Sequence, residues 1–377
     1  MSPPPSERSP LLPNGSEQLL EPPRTFKQKA TAFFKAEGEP SWAASFISHH
    51  IHWDAALRFS FSFIAIIPLA KLLGDATDQM SSKLGQTLAG LLNASFGNAV
   101  EIIVGIAALL QGELRIVQTS MLGSILSNIL LVLGCTFLAA GCKFSESNFQ
   151  VTAAQASSSL MTLAGITLVI PAAYHSTKST SSTSDSETQI GILIISRGTA
   201  ILLLGVYLKS HAHLFEAPEG EEEENKMSVV AASSALLLTT VVTSFCADYL
   251  VASIEETAER YHIPKPFIGL ILLPIVANAA EHVTSIWMAL KGQMELSIGI
   301  CVGSSIQIAT FVVPLMVIVG WISGHELTLY FENYETIILF VSVFLVNTLI
   351  QDGKSNYMEG LMLVTLYIVI ALSFWVS

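Results

Sequence analysis

Long apolar runs alternate with short polar breaks along most of this chain, and their lengths predict membrane-spanning helices. A span needs about 20 largely apolar residues. Ten runs reach that length: 56–73, 84–110, 114–140, 149–173 and 190–209, then 228–252, 266–290, 294–322, 330–350 and 357–376. The polar stretch from Glu216 to Lys226 separates two sets of five. The pattern predicts an all-α, polytopic membrane protein. It divides into a largely disordered N-terminal tail (1–54), a first five-helix repeat (55–214), an acidic cytosolic linker (215–227) and a second five-helix repeat (228–377).

Composition supports this reading. The chain is 51% hydrophobic and 13% charged, against about 25% charged residues in a soluble domain, and its mean hydropathy is +0.57. The net charge of −12 sits in tails and loops, so the expected partner is the lipid bilayer, and no nucleic-acid partner is expected. Cys135, Cys142, Cys246 and Cys301 form no CxxC pair and read as packing residues. The first 40 residues hold no apolar core of signal-peptide type.

The two halves repeat one another at an offset of 180 residues. Asn98-Ala99-Val100-Glu101 returns as Asn278-Ala279-Ala280-Glu281, Gly112 as Gly292, and Gly123-Ser124 as Gly303-Ser304. A unit of five spans crosses an odd number of times, so its second copy enters from the opposite side. Inverted repeats with a midplane site at their interface are a recurring plan for secondary transporters.

Loop cations suggest the orientation. Lys71, Lys83, Lys143, Lys209, Lys226, Lys291 and Lys354 fall on one side and Arg115, Lys178, Arg260 and Lys265 on the other. The first side is expected to face the cytosol. Ten spans then leave the basic tail (Arg8, Arg24, Lys27, Lys29, Lys35) on the non-cytosolic side. An extra crossing before Arg58 would remove that conflict, but His49, His50, His52 and Asp54 make the segment a poor span.

The chemistry lies in the repeated motif. An ionised glutamate in hydrocarbon costs at least a few kcal/mol, so Glu101 and Glu281 are functional candidates by default. Asn98 and Asn278 precede them by three positions and share their helix faces. Small residues, including Gly97 and Ala277, allow close helix approach and backbone carbonyls turned inward. Carboxylates, amides and carbonyls are hard oxygen ligands suited to Ca²⁺, with Mn²⁺ left open. Two carboxylates facing one cavity repel when both are ionised, so they bind either protons or a divalent cation and titrate as one coupled unit. A proton falling through about two pH units releases roughly 2.7 kcal/mol. A ~10⁴-fold cation gradient takes about 5.5 kcal/mol, so the expectation is at least two protons per ion. His282 is a candidate for proton coupling or for helix packing. A second layer is expected from Ser124, Ser127 and Asn128, and from Ser304, Ser305 and Gln307.

With these residues in hand, the chain resembles the cation/proton exchanger (CAX) family of vacuolar Ca²⁺/H⁺ exchangers, within the Ca²⁺/cation antiporter superfamily. The matching stretches are 90–109, 115–134, 267–286 and 298–321. The resemblance implies two inverted five-helix units and a Ca²⁺ site around Glu101 and Glu281, supported by Asn98, Asn278 and the backbone at Gly97 and Ala277. It implies Ca²⁺ and H⁺ as transported species, no cofactor, and a vacuolar membrane location. Ala277 departs from the family's usual Gly, which makes helix opening there less free. The acidic run Glu216, Glu219, Glu221, Glu222, Glu223 and Glu224 matches the family's segment between the halves; it either concentrates cytosolic Ca²⁺ or is a solvated linker. Asp248, Glu255, Glu256 and Glu259 are candidates for a luminal exit.

The rival readings are a Na⁺- or K⁺-coupled exchanger of the same superfamily, a channel, and a polytopic membrane enzyme. The last lacks H-E-x-x-H and G-x-S-x-G motifs and has no need for one motif in both halves.

Overall fold

The computed structural model describes residues 41–51, 53–84, 89, 92–93, 95–179, 185–214 and 228–376. The tail before residue 41 and the acidic run between the halves lie outside the described residues. The described chain is helical almost throughout. Its elements are α1 (Ser41–His50), α2 (Ala55–Ser81), α3 (Ala99–Leu110), α4 (Leu114–Gly141), α5 (Val151–Ser179) and α6 (Asp185–Leu214). The second half has α7 (Val229–Tyr261), α8 (Lys265–Ala277), α9 (Ala279–Leu290), α10 (Met294–Ser323), α11 (Asn333–Leu349) and α12 (Tyr357–Trp375).

Seven of these helices are long and apolar enough to cross a membrane alone, and the pair α8–α9 makes an eighth span bent by 55°. The ten-run reading differs at two places. α11 has 17 residues, about 25 Å at ~1.5 Å per residue, slightly short of a ~30 Å hydrocarbon core. α3 is the described end of the run 84–110, much of whose first half lies outside the described residues. Residues 41–50, assigned to the tail by sequence, form α1. This helix lies on α2 and α7, with Ser45 Oγ 2.7 Å from Ser62 Oγ and the His49 ring stacked on Tyr249 at 3.9 Å.

The repeat extends to backbone geometry. α3 and α9 each have 12 residues and start 180 positions apart. Each ends before a glycine in the left-handed region, Gly112 at φ +80° and Gly292 at φ +81°, a conformation that costs other L-residues roughly 1–2 kcal/mol. α4 and α10 follow, and each contains a π-helical turn at its middle, Ser127–Val132 and Ile308–Val312. Such turns bulge the helix and recur at functional sites. α4 and α10 are the most buried of the long helices among the described residues. Gly123 lets α4 touch the backbone of α8, since a Cβ there would collide with the Leu270 carbonyl.

Contacts between the halves pin both ends of the bundle. At one end β1 (Ser147–Asn148) pairs antiparallel with β2 (Lys354–Ser355), and Lys143 Nζ donates to the Leu290 carbonyl at 2.7 Å. This end carries Lys143, Lys291 and Lys354, three of the cations that the sequence reading expects on the cytosolic side. At the opposite end Arg115 bridges Glu335 at 2.5 Å and Glu332 at 3.0 Å. Gln118 Nε2 also donates to the Thr328 carbonyl at 2.9 Å. Glu335 is buried, and a buried charge that loses its partner costs about 3–5 kcal/mol. α2 packs along α7 more extensively than any other helix pair among the described residues.

Candidate functional site

Both motifs interrupt the helix at the asparagine. Asn98 (φ −114°, ψ 33°) and Asn278 (φ −88°, ψ 15°) leave helical geometry and begin α3 and α9 as N-caps. Their carbonyls accept the N–H groups of Ile102 (3.1 Å) and His282 (3.0 Å), while neither side chain caps its own helix. The amides are thereby free to face the protein interior. Glu101 and Glu281 fall in the first turns of α3 and α9, where the positive end of the helix dipole favours negative charge. Half-helix N-termini aimed at a midplane site are the arrangement expected of a transporter repeat. Irregular backbone at this depth survives only where it lines a cavity or is buried in protein; Asn98 and Asn278 are both buried.

The two carboxylates lie close enough to feel each other's charge. Among the described residues no group of three or more His, Cys, Asp or Glu side chains could hold a metal. Any cation here must complete its shell from amides, hydroxyls, carbonyls or water. The structure offers such atoms. Glu101 Oε1, Glu281 Oε2, Asn278 Oδ1 and Asn128 Oδ1 are buried acceptors without hydrogen-bond partners. A buried polar atom left unpaired costs about 1–3 kcal/mol, and several in one native site call for a bound species.

A chain of side chains ties the first motif to α4 and α10. Asn98 Nδ2 donates to Gln307 Oε1 at 2.7 Å, Ser304 Oγ donates to Asn98 Oδ1 at 3.2 Å, and Asn128 Nδ2 donates to Ser304 Oγ at 2.9 Å. In the second motif Asn278 Nδ2 donates to the Ser124 carbonyl at 3.3 Å. His282 Nδ1 contacts the Asn278 carbonyl at 2.8 Å. A carbonyl only accepts, so Nδ1 carries the proton and the unpartnered Nε2 is the ring's acceptor when neutral.

The structure therefore gathers Asn98, Glu101, Ser124, Asn128, Asn278, Glu281, His282, Ser304 and Gln307 around the two helix breaks. Gly97 and Ala277 sit on the preceding turns. Ser127 lies against Tyr367 of α12, and Ser305 Oγ donates to the Cys301 carbonyl at 2.9 Å within α10. The acidic residues of α7 lie outside this network, and three of them have partners of their own. Glu255 binds Lys265 at 2.8 Å, Glu256 pairs with Arg58, and Asp248 Oδ1 accepts from Gln111 Nε2 at 2.7 Å. Glu259 is exposed. Sequence reading passed over Asn93, whose carbonyl accepts the Gly97 N–H at 2.7 Å and whose Oδ1 accepts from Ser81 at the end of α2. Its only sequence signal was an intramembrane amide five residues before Asn98. It also passed over the Arg115–Glu335 pair, whose partners lie 220 positions apart.

Comparison with known proteins bears on this geometry. The chain is 48% identical over 339 residues to the vacuolar calcium ion transporter of Schizosaccharomyces pombe, covering 87% of this chain and 81% of that protein. It is 41% identical over 335 residues to vacuolar cation/proton exchanger 2 of Oryza sativa subsp. japonica, covering 84% of this chain and 76% of that protein. Its fold matches the crystal structure of the Ca²⁺/H⁺ antiporter protein YfkE with a TM-score of 0.76 and 31% identity, over 92% of this chain and 98% of that one. The family model for the sodium/calcium exchanger protein covers residues 55–214 and 232–376. With the first half matched from end to end, the second over 232–376, and both carboxylate motifs inside the matched segments, the chain belongs to the sodium/calcium exchanger protein family.

Proposed function

We propose that this chain exchanges Ca²⁺ for H⁺ across the vacuolar membrane, sequestering cytosolic Ca²⁺ by alternating access around Glu101 and Glu281. The observation that carries this reading is the set of buried, unpartnered oxygens on Glu101, Glu281, Asn278 and Asn128, beside two carboxylates that repel one another when both are charged. Protons on the carboxyl oxygens relieve that repulsion, and a divalent cation relieves it instead. One occupant displaces the other, which is the requirement for exchange. The names of the relatives, calcium ion transporter and cation/proton exchanger, agree with it.

Within this reading, Glu101 and Glu281 carry protons or metal, Asn278 supplies an amide oxygen, and the backbone carbonyls at Gly97 and Ala277 add further ligands. Asn98, Asn128, Ser304 and Gln307 hold the first half-site in place. His282 tunes or relays protons beside Glu281. The functional units run 55–214 and 228–377, and the acidic segment between them concentrates Ca²⁺ at the cytosolic entrance. Mn²⁺ is a second cargo that the same oxygen ligands accept.

The test is radiolabelled Ca²⁺ uptake into proteoliposomes that carry an inside-acid pH gradient and no Na⁺ or K⁺ gradient. Uptake that collapses when a protonophore dissipates the pH gradient is expected. Absence of uptake until Na⁺ or K⁺ is supplied would overturn proton coupling.

A further inference from the structure

Away from the carboxylates, the bundle opens sideways between α5 and α11, the fourth helix of each repeat, into a groove of about 530 Å³. Its lining changes character along its length. Gln155, Ser158 and Gln351 lie toward the end that carries the β1–β2 pairing, whereas Ile166, Phe340 and Phe344 lie deeper. Residues 155 to 166 span about 16 Å of helix at ~1.5 Å per residue, close to one leaflet of a ~30 Å hydrocarbon core. The polar-to-apolar gradient therefore runs the same way as the gradient from headgroup to acyl chain in the adjoining leaflet.

The groove is built rather than a gap between loosely packed helices. Asn347 Nδ2 donates across it to Thr162 Oγ1, joining α11 to α5 midway along. At Gly165 the wall leaves room for a larger side chain, since a Cβ there would make only ordinary contact with Val343 at 3.6 Å. Ser159 and Thr348, on the rim, donate to their own helix carbonyls at 2.9 Å each, so they tolerate an apolar neighbour. Among the described residues no charged side chain lines the groove. Lys354, the next cation beyond Gln351 along the chain, is held by Glu146 at 2.7 Å.

We propose that this groove is a phospholipid-binding site. One acyl chain lies along Ile166, Phe340 and Phe344, and the amides of Gln155 and Gln351 hold the phosphate or ester oxygens of a zwitterionic headgroup. Amide donors without a free cation at the mouth suit a headgroup of zero net charge. A bound lipid would brace α5, which packs against the first part of α10, and α11, which packs against the π turn of α4. Those are the elements that carry Ser304, Gln307 and Asn128. The inference does not depend on the ion exchanged.

The experiment uses the full chain purified in detergent, with co-purifying lipid counted by native mass spectrometry and thermal stability followed on adding phosphatidylcholine or phosphatidylglycerol. Wild type is expected to retain phosphatidylcholine and to be stabilised by it more than by phosphatidylglycerol. Gly165→Leu fills the groove and loses the retained lipid. The pair Gln155→Ala and Gln351→Ala, at exposed positions that do not affect folding, weakens phosphatidylcholine binding by roughly tenfold. If Gly165→Leu does not fold, this pair carries the test. Equal lipid content and equal stabilisation in wild type and variants would overturn the proposal. So would stronger stabilisation by phosphatidylglycerol, or a change of oligomeric mass in Gly165→Leu that shows a second copy filling the groove.

Discussion

The two half-sites share one backbone and differ in how their asparagines are held. Asn98 is engaged at both ends of its amide, by Gln307 and by Ser304. Asn278 uses only its nitrogen, on the Ser124 carbonyl, and leaves its oxygen unpartnered. The nitrogen's partner follows the sequence: Gln307 accepts from Asn98, and its repeat equivalent is the shorter Ser127, so Asn278 turns its nitrogen to the Ser124 carbonyl. The oxygen's does not: Ser304 donates to Asn98, whereas its equivalent Ser124, also a serine, leaves the Asn278 oxygen unpartnered. His282 stands where the first half has Ile102. Duplication preserved the geometry of the helix breaks while the chemistry around them diverged, leaving one half-site braced by protein and the other open to a ligand.

The comparison can be broken first at the carboxylates. Glu101→Gln and Glu281→Gln are each expected to abolish proton-driven Ca²⁺ uptake, because glutamine keeps the size but holds neither a proton nor a metal charge. Loss in only one variant would mean that the half-sites do not act as a pair. Next comes the asymmetry of the amides. Asn278→Ala removes a free acceptor and is expected to weaken Ca²⁺ binding by roughly 10-fold or more, about 1.4 kcal/mol per decade. Asn98→Ala acts through Gln307 and Ser304 and should have the smaller effect on binding. The reverse order, read by calorimetry, would assign the open half-site to the wrong repeat. Gln307→Ser makes the first half resemble the second, and the loss of one buried hydrogen bond is expected to change Ca²⁺ affinity about fivefold. Smallest and most symmetrical are Gly112→Ala and Gly292→Ala. Equal positive φ values predict equal destabilisation, about 1–2 kcal/mol each, measured by thermal unfolding; clearly unequal losses would show that the repeats bear different loads there.

Sequence pattern disclosed eight of the ten spans and the 180-residue offset, and it marked Glu101 and Glu281 as the candidate pair, because each is written in local composition and spacing. It did not disclose the break at Asn278. Hydropathy reads 266–290 as one continuous run, whereas the 55° bend is set by backbone torsions at a single residue. Nor did it separate Ser304 from Ser305, since one step along a helix turns the side chain by about 100°. Ser304 thereby meets Asn98, and Ser305 meets the Cys301 carbonyl of its own helix and the Ile125 carbonyl of α4. Asn98 and Gln307 are 209 positions apart, and no periodicity along the chain brings them together. α1 escaped because its histidines and aspartate argue against a span, yet a 10-residue helix can lie on α2 and α7 without crossing the bilayer.

Whether the paired carboxylates trade protons for a divalent ion is tested most directly by the protons released when Ca²⁺ binds to the full chain in weakly buffered detergent solution. The account predicts about two protons released per Ca²⁺, with affinity rising as pH rises and fewer protons released by Glu101→Gln or Glu281→Gln. Ca²⁺ binding without proton release, or a release unchanged in both variants, would contradict it.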